Sequence, residues 1–434
     1  MLELKGKSCK DCKIMIDDVE EEALSLIYNI LDTNVFENTK IRIMPDVHAG
    51  KGIVIGFTAP LTDAVNPCHV GVDIGCCITT YITNTKVNPE EYPIIEHKIK
   101  KSIPMGFELN EKRVFDMKDF LKFLKKEYSA ARAGWPEMIE NRNFSEKDIS
   151  KMLQRIGQDE GVFYKSISSL GGGNHFIEVG VTPSGEYAFT VHCGSRNFGL
   201  KVCKYWEKVA KSQKIDSEAF SKALEKLKSE TEDFTTLPEK IKQMKKEYAL
   251  GVPKEYLQGE NMKGYLSDMV VAQAYAKYNH KIIGEKISEI FKKVNGAKVI
   301  STVQSIHNYI NFSDHIIRKG AISAKEGELM VVPFNMRDGL AICVGKGNED
   351  WNCSCAHGAG RKMSRSKAKE LVTMEEYQES MKDIYSTSVC RGTLDESPMA
   401  YKDTQTIYEH IKDTCEISYM VKPVINIKAS DGGE

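Results

Sequence analysis

IRIMPDVHAGKGIVIGFTAP (residues 41–60), followed closely by HVGVDIGCCITTYIT (residues 69–83), decides the fold class of this chain. Short apolar runs are interrupted by Gly and Pro, which is the pattern of buried strands joined by tight turns. The same character returns at NHFIEVGV (174–181) and YAFTVHC (187–193), separated by a Pro-Ser-Gly turn, and again over residues 329–345. Helical stretches lie between them. Residues 113–133 read as a surface helix, residues 267–294 (DMVVAQAYAKYNHKIIGEKISEIFKK) as a stronger amphipathic helix, and residues 362–384 as helical. From about 200 to 250 the composition shifts to Lys, Glu and Ser, as in YWEKVAKSQK and EAFSKALEKLKSE, which reads as a solvated helical excursion from the core. Strands and helices interleave without a βαβ rhythm. The expectation is α+β: one large domain over residues 1–434, with strands around a central cleft and helices at the periphery.

The bulk properties exclude more than they assign. With 41% hydrophobic residues in 434, there is material for a large core. The formal net charge is -1, so a nucleic acid would have to be met by a local basic patch. No stretch approaches 18 uninterrupted apolar residues, and the N-terminus has no apolar segment of the secretory type, so a soluble, cytoplasmic protein without a membrane partner is expected. Twelve cysteines are scattered from Cys9 to Cys415, unlike the framework of a small secreted domain. The Cys9/Cys12 pair lacks a second CxxC to complete a zinc site and reads as two ordinary thiols, and Cys353/Cys355 as packing.

Histidine is scarce, with ten in the chain, yet five lie in unusual company. His48 closes Met44-Pro45-Asp46-Val47-His48. His175 follows a glycine triplet, Gly171-Gly172-Gly173-Asn174-His175. His192 precedes Cys193-Gly194-Ser195-Arg196, His307 precedes Asn308, and His357 opens His357-Gly358-Ala359-Gly360-Arg361. Taken singly, a strand histidine is more often a hydrogen-bonded core residue than a ligand. Taken as a set, beside glycines that admit a ligand, they are costly to bury without a role. His69, His97, His280, His315 and His410 lack such context. Asp73-Ile74-Gly75-Cys76 adds a carboxylate and a thiol around a glycine turn. The mixed O/S/N set suits a borderline ion such as Mn²⁺, Zn²⁺, Fe²⁺ or Co²⁺, and a thiolate can bridge two such ions. GGGNH and HGAGR both offer backbone N–H groups for phosphate. In HGAGRKMSR the four-residue spacing of His357, Arg361 and Arg365 suggests a shared helical face at a helix entrance, with an anion held beside a nucleophilic imidazole.

MPDVHAG, VGVDIGC, GGGNHFIE, VHCGSR, SIHN, RKGAISAKEGEL and HGAGRKMSR resemble, in order, the motifs of the RtcB-type RNA-splicing ligases. The resemblance spans nearly the whole chain outside the 200–250 stretch. It implies an enzyme that joins an RNA 3′-phosphate or 2′,3′-cyclic phosphate end to a 5′-hydroxyl end with GTP and Mn²⁺, two ions being expected, in RNA repair or tRNA splicing. It implies that His357 becomes guanylylated, that GMP passes to the RNA 3′-phosphate, and that the 5′-hydroxyl displaces it. It implies Asp73, Cys76, His175, His192 and His307 as metal ligands, with Cys76 bridging. The implied nucleotide pocket comprises Asn174, His175, Glu178, His307, Asn308, Pro333, Asn335, Met336, His357, Gly358, Ala359, Gly360, Tyr401 and Lys428, with Lys428 at the guanine. Arg196, Arg361 and Arg365 would take RNA phosphates, and Asp46 would stand behind the reacting groups. An archease-type activator follows from family analogy alone, and a monomer is expected.

Three departures mark a divergent bacterial branch. Cys77 stands where the family has a second glycine, as a thiol that could compete for metal. The guanylate loop reads Pro333-Phe334-Asn335-Met336-Arg337-Asp338-Gly339 instead of Pro-Gly-Ser-Met-Gly, so Asn335 replaces a serine and nucleotide preference is open. Six residues follow Lys428. Two other readings stay beside the ligase: a metallophosphoesterase acting on cyclic or terminal RNA phosphates with the same ligands, and a catalytically silent RNA-binding paralogue.

Overall fold

The computed structural model describes residues 1–212, 217–231, 236–247 and 255–430. It is a mixed α and β structure, as the alternation of apolar runs and charged stretches implies. A six-stranded sheet runs in the spatial order Leu2–Leu4, Asp11–Ile14, Lys40–His48, Ile55–Pro60, Ile316–Lys319, Tyr309–Asn311. A seven-stranded sheet runs Val299–Ile306, Cys77–Lys86, Glu186–Cys193, Phe176–Val181, Cys415–Ile427, Gly339–Gly345, Leu329–Asn335, every neighbouring pair antiparallel. A short ladder of Ala321–Ser323 with Ser354–Ala356 lies apart from both.

The seven-stranded sheet curls until its outer strands meet. The Val331 N–H donates to Ser305 Oγ at 2.7 Å across the seam. Ile78, Ala188, Val303, Val331, Leu340, Ile342 and Val421 form one buried cluster drawn from strands that lie far apart in the sheet order. Three prolines mark breaks in the ladders. The register shifts between Ile43 and His48, between Pro333 and Asn335, and between Pro423 and Ile425. A proline has no N–H to give to a ladder, so the chain leaves regular pairing there. Pro45 does this immediately before Asp46.

The helix Gly259–Asn295, 37 residues long, packs behind the sheets and is buried along most of its length. It is longer than the 267–294 reading: its first two turns bury Met262, Tyr265 and Leu266 at helical spacing, while Gly259 and Gly264 weaken the helical signal there. Its buried Asp268 is matched by Arg142 at 2.6 Å, Arg155 at 2.7 Å and the Trp206 indole N–H at 2.7 Å. The 113–133 reading corresponds to the helix Met117–Gly134, capped by Asp116. The 362–384 reading is corrected to two short helices, Arg365–Leu371 and Met374–Ser380, because the Thr373 hydroxyl caps the second and starts it afresh. The stretch at 200–250 falls in helices Arg196–Ser212, Ser217–Glu230 and Leu237–Glu247, with residues 213–216, 232–235 and 248–250 outside the described ones. Its first part is core and not excursion, since Val202, Cys203, Trp206 and Ala210 are buried, while Lys204 and Lys208 between them face out. Among the described residues no helix is long and apolar enough to cross a membrane.

Phe189 joins sheet to helix. Its ring stacks on Tyr81 at 4.7 Å and on Phe291 of the long helix at 5.4 Å, and it is fully buried. Phe189→Ala should lower stability by about 3–5 kcal/mol, read as an earlier urea midpoint. A loss under about 1 kcal/mol would mean that the sheet and helix close over the gap.

Candidate metal and nucleophile site

Antiparallel strands alternate in direction, so at one rim of the curled sheet every other strand begins and the rest end. Cys76 precedes the strand Cys77–Lys86 and His175 precedes Phe176–Val181. His192 lies one residue from the end of Glu186–Cys193, His307 follows Val299–Ile306, and Lys428 follows Cys415–Ile427. The register puts all of them at one rim: Ile306 pairs with Cys77, Ile78 and Phe176 pair with His192, and Ile427 pairs with Ile177. The rim opens into a cavity of about 590 Å³.

Two donor triads meet there and share one atom. Cys76, His192 and His307 form one; Asp73, Cys76 and His175 form the other. Cys76 Sγ lies 3.3 Å from His192 Nε2 and 3.5 Å from His175 Nε2. His192 Nε2 lies 3.3 Å from His307 Nε2, and His175 Nε2 lies 3.0 Å from Asp73 Oδ2. Around an ion with bonds of about 2.0–2.3 Å, tetrahedral donors sit about 3.3–3.8 Å apart. The His192 tautomer is set from behind: Nδ1 lies 3.1 Å from the Asn174 carbonyl, which only accepts, so the lone pair is on Nε2, facing the cluster. Burial, reinforced by the neighbouring imidazoles, holds His192 and His307 well below the ordinary imidazole range, so both are neutral donors. Each triad could hold a divalent ion, and Cys76 belongs to both. Cys77 belongs to neither triad; successive strand residues point to opposite faces, and its thiol is buried beside Cys193.

Several local features hold this arrangement. Burial alone would raise Asp73, but the His175 ring, the Cys76 thiol and Arg196 hold it at about 2. Its Oδ1 accepts from the Ser195 N–H at 2.9 Å. A Cβ on Gly194 would land on both Asp73 oxygens, and one on Gly171 would land on the His175 ring, which explains both glycines. Asn308, in the left-handed region at φ 57°, accepts from the Gly320 N–H at 2.9 Å and offers its own carbonyl to the Gly75 N–H at 2.8 Å. It therefore ties the Asp73 turn to the wall beside His357.

His357 follows the short strand Ser354–Ala356, its ring 4.8 Å from that of His307 and tilted by 53° to it. Asp46 Oδ2 lies 2.6 Å from His357 Nδ1 and also accepts from the His357 backbone N–H at 3.2 Å. A carboxylate accepts, so Nδ1 carries the hydrogen, and the neutral tautomer this selects has its lone pair on Nε2. The shared helical face expected for His357, Arg361 and Arg365 is corrected: the helix begins only at Arg365, because Gly360 takes a left-handed turn at φ 70° and Ser364 supplies the cap.

On the far wall Glu178 is buried, with Oε2 accepting from Asn426 at 3.1 Å and Oε1 without a partner. Burial pushes it up to about 8. Lys428 Nζ reaches Glu396 at 2.8 Å and stands 5.6 Å from the centre of the Phe176 ring. Glu396 is the residue that sequence reasoning missed. Its two oxygens take Arg365 at 2.7 Å, Arg361 at 3.2 Å, Lys428 at 2.8 Å and the Tyr401 hydroxyl at 2.7 Å. Burial opposes its charge, but Lys428, Arg365 and Arg361 hold it at about 2. The one signal for it in the sequence was the surplus of cations expected here, which need a counter-charge when buried. Arg361 and Arg365 are thus paired with acids, Asp395 adding a contact to Arg365 at 2.7 Å. Arg196 points Nη2 at the Gly106 carbonyl, 2.7 Å away. Asn174, Asn308, Pro333, Gly358, Ala359, Gly360 and Tyr401 line the same cavity. Asn335 lines it too, but its side chain is engaged within its own loop, accepting from the Arg337 and Asp338 N–H groups and donating to Asp338 at 2.7 Å. Met336 tucks its sulfur against the Tyr377 hydroxyl at 3.2 Å.

A sequence model of the family described as tRNA-splicing ligase RtcB matches residues 29–429. The RNA-splicing ligase RtcB of Escherichia coli (strain K12) is 28% identical over 415 residues, covering 89% of this chain and 90% of that protein. The tRNA-splicing ligase RtcB of Nanoarchaeum equitans is 26% identical over 89% of this chain and 87% of its own length. That of Methanococcus maripaludis is 26% identical over 97% and 95%.

Glu178 gives a pH test. An exposed glutamate releases its proton near 4.5, but the folded one holds it to about 8. Between these values the native state binds more protons than the unfolded one, so this group's stability is present below the lower value and lost as pH rises through the upper. Glu178→Gln removes the loss. Its stability relative to the parent should rise by a few kcal/mol between about pH 5 and about pH 8 in urea unfolding. Parallel curves would mean that Glu178 ionises freely.

Proposed function

The chain belongs to the RtcB family of tRNA-splicing ligases, and on that premise we propose that it is an RNA ligase that seals 3′-phosphate or 2′,3′-cyclic phosphate ends to 5′-hydroxyl ends, using GTP, Mn²⁺ and a guanylylated His357. One observation carries the reading: an imidazole with its Nε2 lone pair free, gripped from behind by a buried aspartate, beside two donor triads that share a thiol sulfur.

The chain's own groups account for the first step. Asp46 fixes the His357 tautomer and orientation, so Nε2 faces the cavity as nucleophile. As Nε2 bonds to the α-phosphorus and pyrophosphate leaves, the ring becomes cationic, and the Asp46 carboxylate 2.6 Å away stabilises that charge. Divalent ions, when bound by Asp73, Cys76, His175, His192 and His307, neutralise phosphate charge and align the phosphoryl groups; the O/S/N donor set suits Mn²⁺. Phosphoryl transfer asks for alignment and neutralisation more than for acid–base chemistry, which suits a site built mainly of cations and neutral imidazoles.

For the base, Glu178 and Lys428 converge from adjacent strands. An ionised Glu178 accepts the two N–H groups of a guanine edge, and its unpartnered Oε1 leaves one position open for this. Without a ligand, burial keeps the proton on Glu178 up to about 8; the two N–H groups of a guanine edge, together with Lys428, favour the ionised form. Asn335 does not replace the missing serine directly, because its amide is spent on its own loop. Arg196, Arg361 and Arg365 are the groups for RNA phosphates, the last two exchanging their Glu396 and Asp395 partners for phosphate oxygens.

With [α-³²P]GTP and Mn²⁺ the protein should acquire an acid-labile label that His357→Ala abolishes. Asp46→Asn should slow labelling about 100-fold or more. No label from either GTP or ATP sinks the reading, and opening of a cyclic phosphate without any nucleotide would replace it with a phosphoesterase.

A further inference from the structure

His48 has no part in the account above, although its ring lines the same cavity as His357. Its Nδ1 lies 2.8 Å from the Asp46 carbonyl oxygen, which only accepts, so Nδ1 carries the hydrogen and the neutral ring keeps its lone pair on Nε2. Among the described residues Nε2 has no hydrogen-bond partner. Burial holds the ring down at about 4, with His357 and Lys402 acting in the same sense against the Asp46 hydrogen bond, so it is uncharged near neutrality.

The wall around His48 is held together by one buried lysine. Lys319 donates to the carbonyl oxygens of Lys51 at 2.6 Å, Cys68 at 3.0 Å and Ile53 at 3.3 Å, which ties the chain after His48 to the turn at Pro67–His69. Lys51 is exposed at the mouth, paired with Glu207 at 3.3 Å. The other candidate bases are committed. His175, His192 and His307 each turn Nε2 to the donor triads, Asp73 is held by His175 and Ser195, and Glu178 is tied to Asn426 beside Lys428. Glu20 and Glu22 lie at the exposed mouth.

Resting on the ligase reading, we propose that His48 is a catalytic residue of the sealing step, its Nε2 receiving the proton of the RNA 5′-hydroxyl. The 5′-oxygen bonds to the 3′-phosphorus as the bond from that phosphorus to GMP breaks. The proton passes to His48 Nε2, and GMP leaves with the bonding pair.

The test compares two rates in one preparation: labelling of His357 by GTP, and sealing of a 5′-hydroxyl RNA to a strand already carrying the 3′-terminal guanylate. His48→Ala and His48→Gln are both made, since Gln accepts a hydrogen bond but takes no proton. Both should lower sealing at least about 100-fold more than labelling, and added imidazole should restore sealing to the Ala variant. Equal losses in the two rates, or a Gln variant that seals at the parent rate, overturn the inference. Equal losses would mean that His48 acts only by holding Asp46. If the parent protein takes no label at all, the ligase reading falls and takes this inference with it; a labelled parent with equal losses overturns this inference alone.

Discussion

Closure of the seven-stranded antiparallel sheet is the constraint on which the rest depends. A flat antiparallel sheet also collects strand beginnings and strand ends along one edge, but spreads them out in a row. Curling until Leu329–Asn335 meets Val299–Ile306 at the Ser305–Val331 hydrogen bond turns that row into a ring. Groups contributed by residues 76, 175, 192, 307 and 428 then face a common space, although more than 350 residues of chain separate the first from the last. The apolar interior of the curl, from Ile78 to Val421, supplies the burial energy that keeps polar groups massed at the rim.

Around this rim charge is handled in three ways. The two donor triads combine three imidazoles with one carboxylate and one thiol, and burial keeps His192 and His307 uncharged, so little formal charge is concentrated there. His357 is backed by a single buried carboxylate, Asp46, whose other oxygen has no partner among the described residues and faces Gly56. The third region is the reverse: three cations and a tyrosine gathered on Glu396, all half-buried or buried. A buried ion network of this kind is weak as a source of stability but strict in geometry. It holds the groups that would meet phosphates and base at fixed positions until an anionic ligand competes for them.

Much of this was legible in the residues. The Gly- and Pro-punctuated runs announced strands, and the histidines beside glycines announced a shared pocket; the glycines at 171 and 194 are there because a side chain would occupy the space of His175 and Asp73. What could not be read was anything that depends on long-range pairing. The four-residue spacing of His357, Arg361 and Arg365 mimics a helix face, yet Gly360 breaks it, and the arginines meet through Glu396 from another segment. The Lys- and Glu-rich start of the 200–250 stretch hides an apolar face carried by Val202 and Trp206. Cys77 looks equivalent to Cys76 in a string of letters; strand alternation sends it to the opposite face. Asn335 looks like a substitute contact until its amide is seen spent on Asp338.

Two donor triads share one sulfur atom beside the His357 imidazole. Anomalous diffraction from crystals soaked in Mn²⁺, collected on either side of the manganese absorption edge, tests this directly. Two peaks should flank Cys76 Sγ, one within bonding distance of Asp73 and His175 and the other of His192 and His307, with His357 alongside and bound to neither. A single ion that leaves out Cys76, or peaks away from this rim, would contradict it.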